Sequence, residues 1–498
     1  MSCLVVLLNP HSTKPQQRLV MSNQKSTSDP MALTGAEALE VETRSIDFIP
    51  ESERRGHAKD LFSLWFGANT MAITLVTGAI AGTTGLGLFW SAVAIIIGAV
   101  AGTVFMAYHS AQGPQLGLPQ MIQSRAQFGF YGANIPMVIV VAMYLGFYAG
   151  GAIIGAQALE ILFGIKTPVA VAILSALSLV LVLFGYKMMH LIARVITPIY
   201  FVVFALLTAA LITNWETFPS SAAVPFATFS LTPFMLIMSI IAAYYITYGP
   251  YVADYSRYLP SSTSTKSAFW YTFAGTVISA IWIMILGAAI QTAFGKMDAM
   301  TATATVAGSF GAWLKILTLI TLVVGVANIG AFNIYGAMMS VLTIVTTLNS
   351  RLKPSGGVRA AYLVGLCAIG GGLAGIASKD FVLAYEHFIF FLVTFLIPWS
   401  AVNLVDYYYI RRGRYSAEEL FRPDGQYGGF NAVGLGTYIF GCLCQIPFIS
   451  QGFFTGPIAQ NLGFDVAWIV GIIVPGFLYY FLARKQIGTL SAEMLRNT

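Results

Sequence analysis

Two amide side chains, Asn328 and Asn333, interrupt an otherwise apolar run, Gly325-Val326-Ala327-Asn328-Ile329-Gly330-Ala331-Phe332-Asn333-Ile334-Tyr335-Gly336. An asparagine donates and accepts side by side, which suits the edge of a small polar ring and equally suits a hydrogen bond between two apolar helices. Five residues along an α-helix separate the pair by about 140°, so both reach one spot only if Gly330 distorts the helix; otherwise one binds and the other braces. A third amide, Asn69, follows Gly67 in Leu64-Trp65-Phe66-Gly67-Ala68-Asn69-Thr70, and Gly249-Pro250 ends Tyr244-Tyr245-Ile246-Thr247-Tyr248. Titratable groups are few in such apolar surroundings. Glu386 and His387 stand in Tyr385-Glu386-His387-Phe388, where a carboxyl group could carry a proton, and Asp254 with Arg257 reads as a loop ion pair or an inner gate.

The elements that must position these residues are membrane helices. Of 498 residues, 57% are apolar and 9% charged, and the mean hydropathy is +0.76, a balance that a water-soluble chain does not reach. Apolar stretches at about 61–84, 88–108, 134–162, 167–185, 191–213, 232–253, 268–294, 314–343, 359–377, 380–405, 431–450 and 464–483 predict an all-α polytopic protein of about twelve spans. All 26 Lys and Arg except Lys166, Lys296, Lys315 and Lys379 then fall on the side of both termini. That bias marks the side as cytoplasmic and explains the net charge of +6 without nucleic acid, so the expected location is the plasma membrane. Residues 1–45 read as a disordered cytoplasmic tail. Cys3, Cys367, Cys442 and Cys444 have no metal-ligand spacing, and no His-Glu-x-x-His or Gly-Lys-Ser/Thr motif occurs, so neither a metal, a cofactor nor an enzymatic activity is expected.

In hydrocarbon an interrupted helix is tolerated only where it lines a cavity. Gly67 in span 1 and Gly249-Pro250 in span 6 predict two such breaks, at equivalent positions if the first ten spans are two repeats of five. The expected organisation is a transporter core over 46–430, with repeats at 61–213 and 232–405 in inverted orientation, then two extra helices and a cytoplasmic tail over 431–498. Gly and Pro also serve plain packing and kinking in membrane helices.

Several segments carry a family pattern: Ile49-Pro50-Glu51-Ser52-Glu53-Arg54, Leu64 to Asn69, Gly117-Leu118-Pro119-Gln120 leading to Arg125 and Phe128-Gly129, then Pro250-Tyr251-Val252-Ala253-Asp254-Tyr255-Ser256-Arg257-Tyr258-Leu259-Pro260, and Val405-Asp406-Tyr407-Tyr408-Tyr409-Ile410-Arg411-Arg412-Gly413. From about Ile46 to about Tyr415 the chain resembles the nucleobase-cation symporters, the cytosine-purine permease family that includes allantoin and hydantoin carriers. The resemblance implies a ten-helix inverted repeat with two additional helices. It also implies an aromatic sandwich for a flat ring, from Phe147 on span 3 and Tyr245 on span 6, with Asn69, Asn328 and Asn333 at the ring's edge. Many relatives carry Trp at the position of Phe147, which offers less stacking area.

Sodium-driven relatives place two hydroxyl side chains of span 8 on the ion, and the matching residues here, Ala331 and Phe332, cannot ligate a hard cation. The resemblance therefore implies a secondary active importer of cytosine or a purine, coupled to protons, with Glu386 the coupling candidate. Its partners are the small-molecule substrate, the proton and membrane lipid. A sodium-coupled or uncoupled carrier of allantoin, hydantoin or a vitamin-like ring is the alternative, and a passive channel is the alternative of another class.

Overall fold

A computed structural model describes residues 47–219, 225–349, 352, 355–451 and 454–496; the tail expected over 1–45 lies outside them. Helices coincide with the apolar stretches of the sequence. They are Asp60–Asn69 with Ala72–Thr83 (span 1), Leu88–Ser110 (span 2), Asn134–Phe163 (span 3), Thr167–Leu183 (span 4), Tyr186–Thr213 (span 5) and Leu231–Ile246 with Gly249–Ser256 (span 6). Thr265–Phe294, Ala312–Leu348, Gly356–Ala377, Phe381–Val405, Ala432–Gln445 and Ala467–Arg496 follow as spans 7 to 12. By length and apolarity seven helical stretches could cross a bilayer, Gly356–Ile410 counting as one, and the two bent pairs raise this to nine; Thr167–Leu183 and Ala432–Phe448 are shorter. Large apolar side chains such as Val195, Ile212, Trp270 and Ile376 stand exposed on the outside, the surface expected against lipid. Among the described residues the only strand pairing is a two-residue ladder, Ser450–Gln451 with Phe454–Thr455.

Both interruptions exist, but the sequence misplaced them by a few residues. Span 1 bends by 56° and span 6 by 41°. In span 1 the gap is Thr70–Met71, with Met71 extended at φ −150°, while Gly67 lies inside the last turn of the first half. The last turn is doubly bonded, since Asn69 Nδ2 donates to the Trp65 carbonyl at 2.7 Å and Thr70 Oγ1 to the Phe66 carbonyl at 2.7 Å, and the ladder ends where the Met71 N–H turns to the Asn69 carbonyl at 3.0 Å. Gly67 serves close approach, since a Cβ there would stand 2.7 Å from the Thr197 methyl of span 5. In span 6 the gap is Thr247–Tyr248, and Gly249 and Pro250 open the second half. Proline fits a first helical turn because its missing N–H would have no partner there; the same lack leaves the Ile246 carbonyl without its helical donor.

Spans 1, 2, 6 and 7 are held together by backbone contact. A Cβ on Gly287 of span 7 would lie 1.9 Å from the Leu75 carbonyl, one on Gly78 would lie 2.1 Å from that of Met284, and one on Gly102 of span 2 would lie 2.3 Å from that of Ala242. Small residues let membrane helices approach where no hydrophobic effect drives them together. Spans 3, 4, 8 and 9 pack as a second group, with Tyr148 of span 3 wedged against Gly330 and Gly370 and Ser178 of span 4 donating to the Ala327 carbonyl at 2.9 Å.

Candidate functional site

Between the two groups lies a cavity of about 610 Å³, within the range of small-molecule sites. It begins at the breaks, where Gly67, Thr70, Tyr244, Tyr248 and Pro250 line it, and extends to Asp60, Asp254 and Arg257 at the end of the helices that carries most basic residues. The opposite end is closed. Thr77 Oγ1 and Tyr385 Oη are 3.0 Å apart, Thr74 Oγ1 and Tyr244 Oη 3.4 Å, and the Phe147 ring stands edge-on to Tyr244 at 5.9 Å and to Phe388 at 5.2 Å.

One wall is tyrosine. Tyr244, Tyr248, Tyr251 and Tyr255 all line the cavity, with successive ring centroids 5.4, 5.3 and 6.4 Å apart, and the spacing of four, three and four residues keeps them on one face across the break. Tyr144 and Phe147 of span 3 extend this surface, Tyr144 lying 5.8 Å from Tyr251. Tyr245, expected to stack on the substrate, does not line the cavity. It is turned about 100° from Tyr244, fully buried, with its hydroxyl 3.9 Å from Met284 Sδ of span 7, and Tyr244 faces Phe147 in its place.

The facing wall is span 8. Its helix runs without a break through Gly330, and both Asn328 and Asn333 line the cavity. Gly325, Ile329, Phe332 and Gly336 face it too, and the two amides stand at either edge of the roughly 140° arc that these residues fill. The distortion expected at Gly330 is therefore not needed, because the cavity is as wide as the arc. Asn328 is 2% exposed and its Oδ1 has no hydrogen-bond partner among the described residues, whereas Asn333 is half-buried. Asn69 is buried behind the span 1 break and does not line the cavity; its Nδ2 donates to the Trp65 carbonyl one turn back. Glu386 is half-buried in span 10, also away from the cavity. Ala331 is fully buried, and Phe332 meets the His190 ring of span 5 edge-on at 5.0 Å.

Asp254 and Arg257 line the cavity mouth, where Arg257 Nε donates to the Asp254 backbone carbonyl at 3.2 Å. The Asp254 carboxylate accepts from the Gln120 backbone N–H at 2.7 Å. From Gln120 a chain of buried amides runs inward: Gln120 Nε2 donates to Gln112 Oε1 at 3.1 Å, Gln112 Nε2 to Asn403 Oδ1 at 3.0 Å, Asn403 Nδ2 to Gln127 Oε1 at 3.2 Å, and Gln127 Nε2 to Asp406 Oδ2 at 3.1 Å. Asp406, fully buried, also accepts from Tyr479 at 2.8 Å and from Tyr415, and pairs with Arg411 at 3.1 Å. Gln120, Asp254, Asp406 and Arg411 stand in motifs visible in the sequence, whereas Gln112, Gln127, Asn403 and Tyr479 do not, and nothing in their order along the chain revealed that they converge. Arg125, from the same loop, donates to Thr347 Oγ1 near the end of span 8 at 2.9 Å and lies over the Phe130 ring at 4.3 Å. Burial lowers its pKa to about 10, which leaves it charged at neutral pH.

Two interrupted helices meeting at a cavity inside an apolar-surfaced helical body are the architecture of a membrane transporter. Residues 48–471 match the family model described as permease for cytosine/purines, uracil, thiamine, allantoin. The chain belongs to this permease family, and it is a transporter and not an enzyme. It is 42% identical over 450 residues to a putative purine-cytosine permease of Bacillus subtilis, covering 90% of this chain and 97% of that one. A purine-cytosine permease of Emericella nidulans is 25% identical over 470 residues, 91% of this chain and 90% of the relative. The fold is that of Mhp1, whose inward-facing conformation aligns with a TM-score of 0.73 at 17% identity over 90% of this chain and 95% of that one. A closed conformation of Mhp1, a nucleobase-cation-symport-1 family transporter with bromovinylhydantoin bound, aligns with a TM-score of 0.71.

Proposed function

We propose that the protein imports a nucleobase, cytosine or a purine, across the plasma membrane by alternating access. The observation that carries this reading is the pairing of walls: a continuous tyrosine face on span 6 opposite a helix that carries two amides, at the depth where spans 1 and 6 are interrupted. A planar heterocycle needs its π faces covered and its edge hydrogen-bonded; each stacked aromatic contributes about 1–3 kcal/mol. Phe147 and Tyr244 are the ring-facing pair in this reading, and Asn333 and Asn328 the edge-binding amides. Relatives named as purine-cytosine permeases support the substrate class.

The core of two inverted five-helix repeats and the cytoplasmic placement of both termini belong to the same proposal. The cavity then opens to the cytoplasm, on the side that most Lys and Arg residues share. The driving ion is the proton. Ala331 and Phe332 offer no side-chain oxygen for sodium, and Glu386, half-buried in span 10, is the titratable candidate. Closure of one end by Thr77, Tyr385, Phe147 and Phe388 favours a carrier over a continuous channel.

The test is uptake of radiolabelled cytosine and adenine by proteoliposomes of the purified protein. Accumulation should saturate, follow an inward proton gradient and ignore an imposed sodium gradient. Uptake that follows sodium alone overturns the coupling, and the absence of nucleobase uptake under either gradient overturns the substrate class.

A further inference from the structure

Span 5 touches both interrupted and unbroken walls through two residues one turn apart. Thr197 packs on Gly67 at the span 1 break, and Tyr200 lies flat on span 8, where a Cβ on Gly325 would stand 2.0 Å from the Tyr200 hydroxyl oxygen. The Tyr200 ring is stacked on Phe204 at 5.6 Å with 8° between planes, so the hydroxyl has a fixed position. Tyr200 is 4% exposed and lines the cavity, yet its Oη has no hydrogen-bond partner among the described residues. Asn328 Oδ1 is in the same condition, and Asn328 follows Gly325 by three residues, about 60° and 4.5 Å along the same helix.

Two buried polar atoms without partners, held within one helical turn on one cavity wall, are costly unless something that enters the cavity satisfies them. A hydroxyl can donate and the amide oxygen can only accept. We propose that Tyr200 and Asn328 form one subsite that selects a ring bearing a hydrogen-bond acceptor beside a donor, with Tyr200 Oη donating to a ring nitrogen and Asn328 Oδ1 accepting from the adjacent amino group. The amidine edge shared by adenine and cytosine has this pattern. The inference rests on the nucleobase reading above and adds to it which edge of the ring faces span 5, with Tyr200 as the specificity-determining residue. The stacking wall then holds the ring while the span 5 and span 8 corner reads it.

The experiment is a cycle in protein and ligand. Uptake of radiolabelled adenine into proteoliposomes is competed with adenine and with 1-deazaadenine, in which C–H replaces the acceptor nitrogen beside the amino group, for wild type and for Tyr200→Phe. Wild type should prefer adenine by about 10-fold, the worth of one buried hydrogen bond, and Tyr200→Phe should bring that ratio to about 1 by weakening adenine alone. Without ligand, Tyr200→Phe should melt no lower than wild type, because it removes an unsatisfied hydroxyl; a purely structural hydroxyl would lower the melting temperature and weaken both ligands equally. A second variant, Gly325→Ala, must displace the hydroxyl and should also abolish the preference while purine-ring stacking persists. An unchanged ratio in Tyr200→Phe, or no discrimination by wild type, overturns the subsite. Neither result touches the nucleobase reading, which falls only if wild type takes up no nucleobase at all.

Discussion

Replacing Asp406 with Ala should loosen the basic-residue-rich end of the protein more than any other single substitution of a charged residue there. The carboxylate is fully buried and accepts from Gln127, Arg411, Tyr415 and Tyr479, which come from three separate segments. Removing one member of a buried ion pair destabilises by about 3–5 kcal/mol, because the partner's charge and donors are left behind. Arg411 keeps 22% side-chain exposure, so water takes up part of that charge, and the lower end, about 3 kcal/mol, is the expected loss. At about 1.4 kcal/mol per tenfold, locally opened molecules become roughly a hundred times more common. Asp406→Asn, which keeps the volume and one acceptor, should lose about half as much. The assay is the fraction of protein still monodisperse on size-exclusion chromatography after heating in detergent, with Asp424→Ala, at an exposed pair with Arg422, as the control expected to match wild type. If Asp406→Ala melts within a degree of that control, the network carries no load and the reasoning fails.

Gly287→Ala places a methyl 1.9 Å from the Leu75 carbonyl and should cut the yield of folded protein severely, read by membrane expression and chromatographic profile, whereas Gly372→Ala, where a Cβ meets nothing, should be neutral. Tyr244→Ala should remove most uptake, but Tyr245→Phe, which loses only a contact with Met284 sulfur, should transport like wild type. Tyr385→Phe combined with Thr77→Val deletes the 3.0 Å bond at the closed end and should raise the labelling rate of a cysteine at Phe388 by an impermeant thiol reagent added outside, in a background with the native cysteines replaced by Ala.

The helices and the existence of two breaks were legible because they depend on local composition: long apolar runs, a Gly-Pro pair, and amides among Leu and Val. What depends on rotation about a helix axis was not. Choosing Tyr245 over Tyr244 is an error of one residue, yet it exchanges the cavity for the span 7 interface, since neighbours on a helix point about 100° apart. The spacing of Tyr244, Tyr248, Tyr251 and Tyr255 carried the correct face, had continuity across the break been assumed. Asn69 looked like a ligand because polar groups in apolar helices invite that reading, but its Nδ2 turns back to the Trp65 carbonyl and the side chain lies off the cavity. Tyr200 gave no signal at all, because its significance comes from Gly325, 125 residues away, leaving room for its hydroxyl.

The two kinds of contact in this molecule respond differently to displacement. Where Gly287 lies on the Leu75 backbone there is no room even for a methyl group, so spans 1 and 7 are joined backbone to backbone. Where Phe147 meets Tyr244 edge-on no directional bond joins the two rings, and the Tyr244 hydroxyl is held instead by Thr74 and Tyr248. Exposing the cavity to the opposite side would therefore part side chains, the aromatic seam together with the Thr77–Tyr385 bond, and leave the glycine-packed backbones in place.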